Sequence, residues 1–167
     1  SINKSVISGE ILTIENKWYT ILLNCKNGTI LKWFDKENTQ DLLDSESKYQ
    51  LGEFVGEFLA ERSSLESKRM GVHERYSLES IHYIGMIPGS IFDTYKFSAK
   101  AKNGIGSMPS NFFFELRVYK TAKQIELYYT IFKNENVNPE SFYIAMPFKI
   151  PDGKIYCELP GGVMEAG

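Results

Sequence analysis

Residues 11–43, ILTIENKWYTILLNCKNGTILKWFDKENTQDLL, carry the strongest fold signal in this chain. Residues 12–14, 18–23 and 29–34 are rich in the β-branched and aromatic residues that favour strands. Asn27-Gly28 stands between two of these runs, and Gly28 can adopt the positive φ of a type I′ turn. The stretch therefore predicts consecutive antiparallel strands joined by tight turns.

The rest of the chain continues the β pattern. Strand-like runs separated by turn residues occupy residues 91–101, 111–120, 123–133, 142–150 and 154–159. In the third of these runs the apolar side chains alternate with polar ones, so one face of the strand should be buried: Ile125, Leu127, Tyr129, Ile131. The sequence predicts an all-β protein, an antiparallel β-sandwich, with helix below about 15%.

Residues 42–69 fit the β pattern less well. Leu51, Phe54, Val55, Phe58 and Leu59 recur at helical spacing, although Gly52 and Gly56 weaken a helix. We expect a short helix or an irregular aromatic loop here. Residues 61–69 are charged and rich in serine, and they predict a mobile loop, as do residues 103–106.

Composition narrows the functional classes. The 167 residues suit one domain, and the net charge of −2 with interspersed signs argues against a nucleic-acid or anionic-membrane partner. No apolar run approaches the roughly 20 residues of a membrane span. The chain lacks an initiator Met, which suggests a fragment of a longer protein. We expect residues 1–167 to form one domain of that protein. Cytoplasm and periplasm both stay open as locations.

Titratable and nucleophilic residues give few signals of catalysis. The two histidines, His73 and His82, lack the partner spacing of a zinc site, and neither a phosphate loop nor a GxSxG turn is present. No cofactor and no metal are therefore predicted. Cys25 and Cys157 are interpreted as buried or reduced thiols, and a disulfide between them cannot be read from the sequence.

The opening stretch resembles the start of the large β-sandwich domain of family 38 glycoside hydrolases, the α-mannosidases. The residues that carry the resemblance are Ile14, Glu15, Asn16, Trp18, Tyr19, Asn27, Gly28, Ile30, Asp35 and Lys36. Residues 143–162, YIAMPFKIPDGKIYCELPGG, resemble a strand-turn-strand of related bacterial proteins. The resemblance implies a galactose-mutarotase-like supersandwich, with carbohydrate and the catalytic domain of the same parent chain as partners. The family's zinc and nucleophile motifs have no counterpart here.

The family's supersandwich is longer than this chain, so the resemblance implies an incomplete domain. Residues 5–14, taken as the first strand, and the strand at 154–159 are then candidate open edges. Unpaired edge groups and uncovered apolar surface favour association. We expect a homo-oligomer, or pairing with further polypeptide.

The resemblance also directs attention to residues that could face a sugar: His73, Arg75, Glu53, Glu57 and Trp33. None of them is assigned a catalytic role. Two alternatives stay open. One is a free-standing sugar epimerase, with His73 or His82 as general acid and a glutamate as base, the candidates being Glu53, Glu57, Glu158 and Glu165. The other is a carbohydrate-binding module with an exposed planar row of aromatic rings. Trp18, Tyr19 and Trp33 are more often core residues than sugar platforms.

Overall fold

The computed structural model describes residues 2–59, 72–101, 112–133, 135–137, 139–149 and 151–166. Within these ranges the chain forms strands and loops and no helix, and all pairings between strands are antiparallel. The all-β fold predicted from the sequence is confirmed.

The opening stretch forms a five-stranded sheet in which each strand pairs with the next one along the chain. Its strands are β1 (Lys4–Ser8), β2 (Ile11–Glu15), β3 (Tyr19–Asn24), β4 (Ile30–Asp35) and β5 (Gln40–Asp41). The prediction of one strand over residues 5–14 is wrong, because Gly9, at φ +60°, turns the chain between β1 and β2. β1 is the edge of this sheet, whereas β2 is internal.

The remaining described residues add three further sheets. Their strands are β6 (Phe54–Leu59), β7 (Val72–Tyr76), β8 (Leu78–Ile87), β9 (Phe92–Ala101), β10 (Phe112–Tyr119), β11 (Ile125–Ile131), β12 (Glu140–Ile144), β13 (Ile155–Leu159) and β14 (Gly162–Ala166). The orders are β11-β10-β9-β8, β12-β6-β7 and β13-β14. Gly161, at φ +98°, turns the chain from β13 into β14.

The core lies between the five-stranded and four-stranded sheets. Alternate residues of β2 to β4 and of β9 and β10 point inward, and the most buried are Leu12, Ile14, Ile21, Leu23, Tyr95, Phe97, Phe112, Leu116 and Val118. Phe97 and Phe114 stack with ring centroids 4.4 Å apart. Phe54 of the three-stranded sheet joins this core through a ring contact with Phe112 at 5.0 Å. The result is an antiparallel sandwich with the three-stranded sheet anchored to it.

The connection between β3 and β4 differs from the predicted type I′ turn. Gly28 has the expected positive φ of +68°, but Asn27 does not share it, and five residues, 25–29, separate the strands. Gly28 N donates to Asn24 O at 2.8 Å, and Asn27 Oδ1 accepts from Thr29 N at 3.2 Å. The longer loop places Gly28 against the Phe114 ring of the opposite sheet.

The helix considered over part of residues 42–69 is wrong, because residues 54–59 form strand β6. The same residues also have a period of two, with Phe54, Gly56 and Phe58 alternating with outward residues. Pairing with β7 and β12 selects the strand over the helix. The predicted loops at 61–69 and 103–106 lie outside the described residues.

Five of the residues that carry the family resemblance form one hydrogen-bonded network: Glu15, Asn16, Trp18, Tyr19 and Lys36. Asn16 Oδ1 accepts hydrogen bonds from the backbone of Trp18 at 2.9 Å and of Tyr19 at 2.8 Å, which holds the turn between β2 and β3. Lys36 Nζ reaches back to Glu15 Oε1 at 2.6 Å and to Asn16 O at 2.8 Å. These side chains therefore fix the turn and its neighbouring strand.

A second contact ties the two main sheets together at the same end. The carboxylate of Asp35, a residue only 3% exposed, accepts from Lys123 Nζ at 2.8 Å and from Asn38 Nδ2 at 2.9 Å. Burial opposes ionisation of Asp35, but these hydrogen bonds, led by Lys123, outweigh it and lower its pKa. Asp35 thus joins the sheets as a charged group.

The structure describes the side chain of one of the two cysteines, Cys25. Cys25 is a half-buried free thiol, and burial raises its pKa. The side chain of Cys157 lies outside the described part of the chain.

Candidate functional site

The outward face of the three-stranded sheet gathers polar and aromatic side chains. In the β-sheet register Arg75 lies opposite Glu57, and Tyr143 lies opposite Val55. Because side chains alternate along a strand, the neighbouring Phe142 points to the other face, where it stacks on Phe54 at 5.6 Å. One face of this sheet therefore packs against the core, and the other face forms an accessible surface.

Arg75 and Glu57 form the centre of this surface. Arg75 Nε lies 2.5 Å from Glu57 Oε1, and the Glu57 side chain is 12% exposed, against 48% for Arg75. The hydrogen bond to Glu57, together with nearby Tyr49, raises the pKa of Arg75. This contact uses one of the five N–H groups of the guanidinium. Although Tyr49 also forms a hydrogen bond with Arg75, this half-exposed guanidinium has N–H groups left for a ligand.

Aromatic side chains turn this surface into a groove. Its walls enclose about 330 Å³ and consist of Tyr49, Val55, Glu57, Arg75, Tyr143 and Ala145. Tyr143 is 51% exposed, whereas Val55 forms a buried floor. The groove therefore combines an accessible aromatic ring with a charged hydrogen-bonding pair.

A smaller groove of about 200 Å³ adjoins the first one and shares Tyr49, Val55 and Arg75 with it. Lys48 and Glu53 are among its further walls. Glu53 Oε2 accepts from the backbone N–H of Gln50 at 2.9 Å, which closes the turn before β6. Acidic and basic groups thus alternate along the joined grooves.

The structure brings together three of the five candidate residues. Glu53, Glu57 and Arg75 line the joined grooves. His73 lies two residues before Arg75 on β7, but its side chain is outside the described residues.

The fifth candidate, Trp33, lies in the core, so the prediction that it faces carbohydrate is wrong. It is 9% exposed, and its ring contacts Tyr19 at 5.5 Å and Phe148 at 5.7 Å. The physical reason is the pleat of β4, which turns this position toward the interior. The core interpretation of Trp33 and Tyr19 is confirmed.

The other residues considered for an epimerase lie elsewhere. His82 is on β8 of the four-stranded sheet, opposite Ser98, and it is exposed. Glu165 lies in the β13–β14 hairpin, where it pairs with Lys154 at 3.0 Å. The side chain of Glu158 is not among those described. The described residues therefore do not assemble His82 with Glu53 or Glu57.

Tyr49 and Tyr143 are the groove residues that sequence reasoning missed. The available signal for Tyr143 was its place next to Phe142 in a strand, which puts one of the two rings outside when the other is buried. Tyr49 lies in a loop, and no periodicity in the sequence marks it. The groove could not be assembled without the pairing of β6 and β12.

Among the described residues, no group of three or more His, Cys, Asp or Glu side chains is arranged to hold a metal ion. No helix in that part of the chain is long and apolar enough to cross a membrane.

Comparison with protein-family models finds no match, and comparison with curated proteins finds no significantly similar sequence. The groove is therefore the feature of the molecule from which function is inferred.

Proposed function

We propose that this chain is a non-catalytic, carbohydrate-binding β-sandwich domain of a mannosidase-like glycoside hydrolase. The observation that carries the proposal is the placement of Tyr143 beside the Arg75–Glu57 pair on one outward face. The choice of a mannosidase-like parent protein in this proposal rests on the resemblance of residues 11–43 to α-mannosidase sandwich domains.

The chemistry of a sugar matches the groove. A pyranose has an apolar face of C–H groups, which packs on an exposed aromatic ring such as Tyr143. Its hydroxyl groups both donate and accept, and Arg75 and Glu57 supply the complementary donors and acceptors. An ion pair held in place before binding loses little conformational entropy when a sugar arrives.

The same groove is poorly equipped for hydrolysis of a glycosidic bond. Hydrolysis by the usual route requires two carboxyl groups, one a proton donor and the other a nucleophile or base. Among the described residues that line this groove, Glu57 is the one carboxyl group, and it is already engaged by Arg75. Binding without turnover is the function that this pairing favours.

The proposed place of the domain is beside a catalytic domain of the same parent chain. The β13–β14 hairpin pairs only with itself among the described strands, and Tyr156, Val163 and Met164 are exposed on it. An isolated two-stranded hairpin is marginally stable in water. Further polypeptide, or a second copy of the chain, packed on this hairpin would cover these side chains.

The two alternatives have less support. An epimerase would need a histidine and a glutamate in one cleft; His82 lies on a different sheet from Glu57, and the side chain of His73, on β7, is outside the described residues. A flat aromatic platform would favour a separate binding module. The outer face of the four-stranded sheet does expose Phe113 and Phe132, but their planes meet at 90°. These rings do not form one plane.

Calorimetric titration with uncharged oligosaccharides tests the proposal. We expect binding by the unmodified chain and clear weakening in Tyr143→Ala and Arg75→Gln. Tyr156→Ala is a matched control, because Tyr156 is an exposed strand tyrosine, 59% accessible, outside the groove. Equal affinities in Tyr143→Ala and Tyr156→Ala would contradict the proposed site. Release of mannose from an aryl mannoside by the purified chain would contradict the non-catalytic role.

A further inference from the structure

A third cavity lies between the sheets, at the inner end of the joined grooves. It encloses about 350 Å³, within the range of roughly 300–1,000 Å³ typical of small-molecule sites. Phe54, Phe112 and Phe114 are buried behind this lining, so the apolar side that a ligand can reach consists of half-buried Leu78 and Ile81, and Asn27, Thr29 and Gln50 are on the polar side. Apolar and polar groups in one cavity match the two chemical faces of a sugar.

The polar wall has spare hydrogen-bonding capacity. Thr29 Oγ1 lies 2.7 Å from Asn27 Oδ1 and 2.5 Å from Gln50 Oε1. A hydroxyl has one proton, so Thr29 can donate to only one of these two amide oxygens. Asn27 Oδ1 also accepts from Thr29 N, whereas Gln50 is exposed, and its side-chain amide offers donors as well as an acceptor to a hydroxyl group of a ligand.

The three cavities share walls and form one continuous cleft. Lys48, Glu53 and Ser77 line both the cavity between the sheets and the small groove. Tyr49 and Arg75 line both the small groove and the outer groove beside Tyr143. The cleft therefore runs from the sandwich interior, over the loop before β6, to the outward face of the three-stranded sheet.

Charges along the cleft balance one another. Lys48 and Arg75 are opposed by Glu53 and Glu57, and Glu57 is directly paired with Arg75. An anionic ligand would find no excess of positive charge here, and a cationic ligand would find no excess of negative charge. Hydroxyl groups, which donate and accept equally, suit such an alternating surface.

From these observations we infer that the cleft binds an uncharged oligosaccharide rather than a single sugar. One end ring enters the cavity between the sheets, against Leu78 and Ile81, and a later ring lies on Tyr143. Arg75 and Glu57 contact the hydroxyl groups between these two ends. This inference rests on the proposed carbohydrate-binding function and adds the ligand's length, neutrality and direction.

A titration series of uncharged gluco-, manno- and galacto-oligosaccharides, beginning at the monosaccharide, tests the inference. We expect affinity to rise at least about tenfold with added rings, equivalent to about 1.4 kcal/mol. Tyr143→Ala should remove most of this gain but leave the monosaccharide affinity unchanged. Gln50→Ala should weaken binding at every length, and its thermal melt, unchanged from the parent chain, should show that the fold is intact.

The outcomes separate this inference from the proposed function. Two results would contradict oligosaccharide binding along the cleft while remaining consistent with a carbohydrate site in the groove. One is binding that does not depend on the number of sugar rings, and the other is equal weakening of mono- and oligosaccharide binding by Tyr143→Ala. Tighter binding of oligouronates than of the neutral series would overturn the charge argument. The absence of binding at any length would overturn both proposals.

Discussion

The five-stranded and three-stranded sheets of this molecule are built from opposite kinds of pairing. In the first, every strand pairs with its neighbour in the chain, and the turns are held by nearby side chains such as Asn16. In the second, β6 pairs with β7, the next strand along the chain, and also with β12, from which five other strands separate it in the sequence. The local sheet contains the ten residues within 11–43 that carry the family resemblance, and the non-local sheet contains the groove.

The comparison teaches that fold signals and site signals lie in different parts of this sequence. Glu15, Asn16 and Lys36 hold a turn and a strand, so their pattern can be recognised within one short stretch. Arg75 and Tyr143 become neighbours only when β6 brings their strands together. Substitutions in each sheet can test this division.

The largest expected effect is that of Gly28→Ala in the local sheet. The added Cβ would lie 2.5 Å from Phe114 Cζ, and φ is +68° at this position. Overpacking together with left-handed strain should lower the free energy of unfolding by about 3 kcal/mol. Gly9→Ala is the control, because φ is +60° but nothing lies within 4 Å. Denaturant melts of both variants should differ clearly, and equal losses would contradict the packing account.

Gly56→Ala is the corresponding change in the non-local sheet. The added Cβ would clash with the ring of Tyr76 on the neighbouring strand. We expect a loss of about 2 kcal/mol from overpacking and weaker sugar binding, because β7 also carries Arg75. Melting and titration of one preparation measure both effects. Lower stability with fully retained affinity would show that the groove does not depend on this contact.

Asp35→Asn should lower the free energy of unfolding by about 1–2 kcal/mol at neutral pH, because it weakens the contact with Lys123. The pKa of Asp35 is lowered in the folded state. Its contribution is therefore complete above about pH 4, near the unfolded pKa, and is lost as the pH falls through the folded pKa. The variant should lose less stability than the parent chain on acidification.

Glu37→Gln provides the matched control for this acid titration. Glu37 contacts the same Lys123 at 2.6 Å, but its side chain is 68% exposed. Exposed pairs contribute about 0–1 kcal/mol, so the change should be small. Equal effects of Glu37→Gln and Asp35→Asn would contradict the role assigned to the buried carboxylate.

Association through uncovered strands should have a smaller effect on stability. Val163 on the hairpin is 69% exposed, and Val6 on edge strand β1 is 66% exposed. We expect the scattering mass of the chain to rise over a concentration series, and Val163→Lys to reduce that rise without changing the melt of the dilute protein. A constant monomer mass, with no binding of apolar dyes, would contradict this expectation.

The sequence predicts those features that depend on short-range alternation. Ile125, Leu127 and Tyr129 pack against the core as their spacing predicts, whereas Ile131 at the end of the strand is 36% exposed. The residues of β6 fit both a helical period and a strand period. Which of the two structures forms is decided by pairing with other strands, and this pairing cannot be read from the local sequence. Glu53, Glu57 and Arg75 were predicted as individual candidates. Their assembly with Tyr143 required a β-sheet register that no local pattern encodes.

Binding of an uncharged trisaccharide to the parent chain, Tyr143→Ala and Tyr156→Ala is the most direct measurement of the central claim. Both tyrosines are exposed on strands, and only Tyr143 lines the groove of the non-local sheet. We predict roughly tenfold weaker binding for Tyr143→Ala, the loss of one aromatic packing contact, and unchanged binding for Tyr156→Ala. Unchanged affinity in Tyr143→Ala, or the same loss in both variants, would contradict the assignment of carbohydrate binding to the three-stranded sheet.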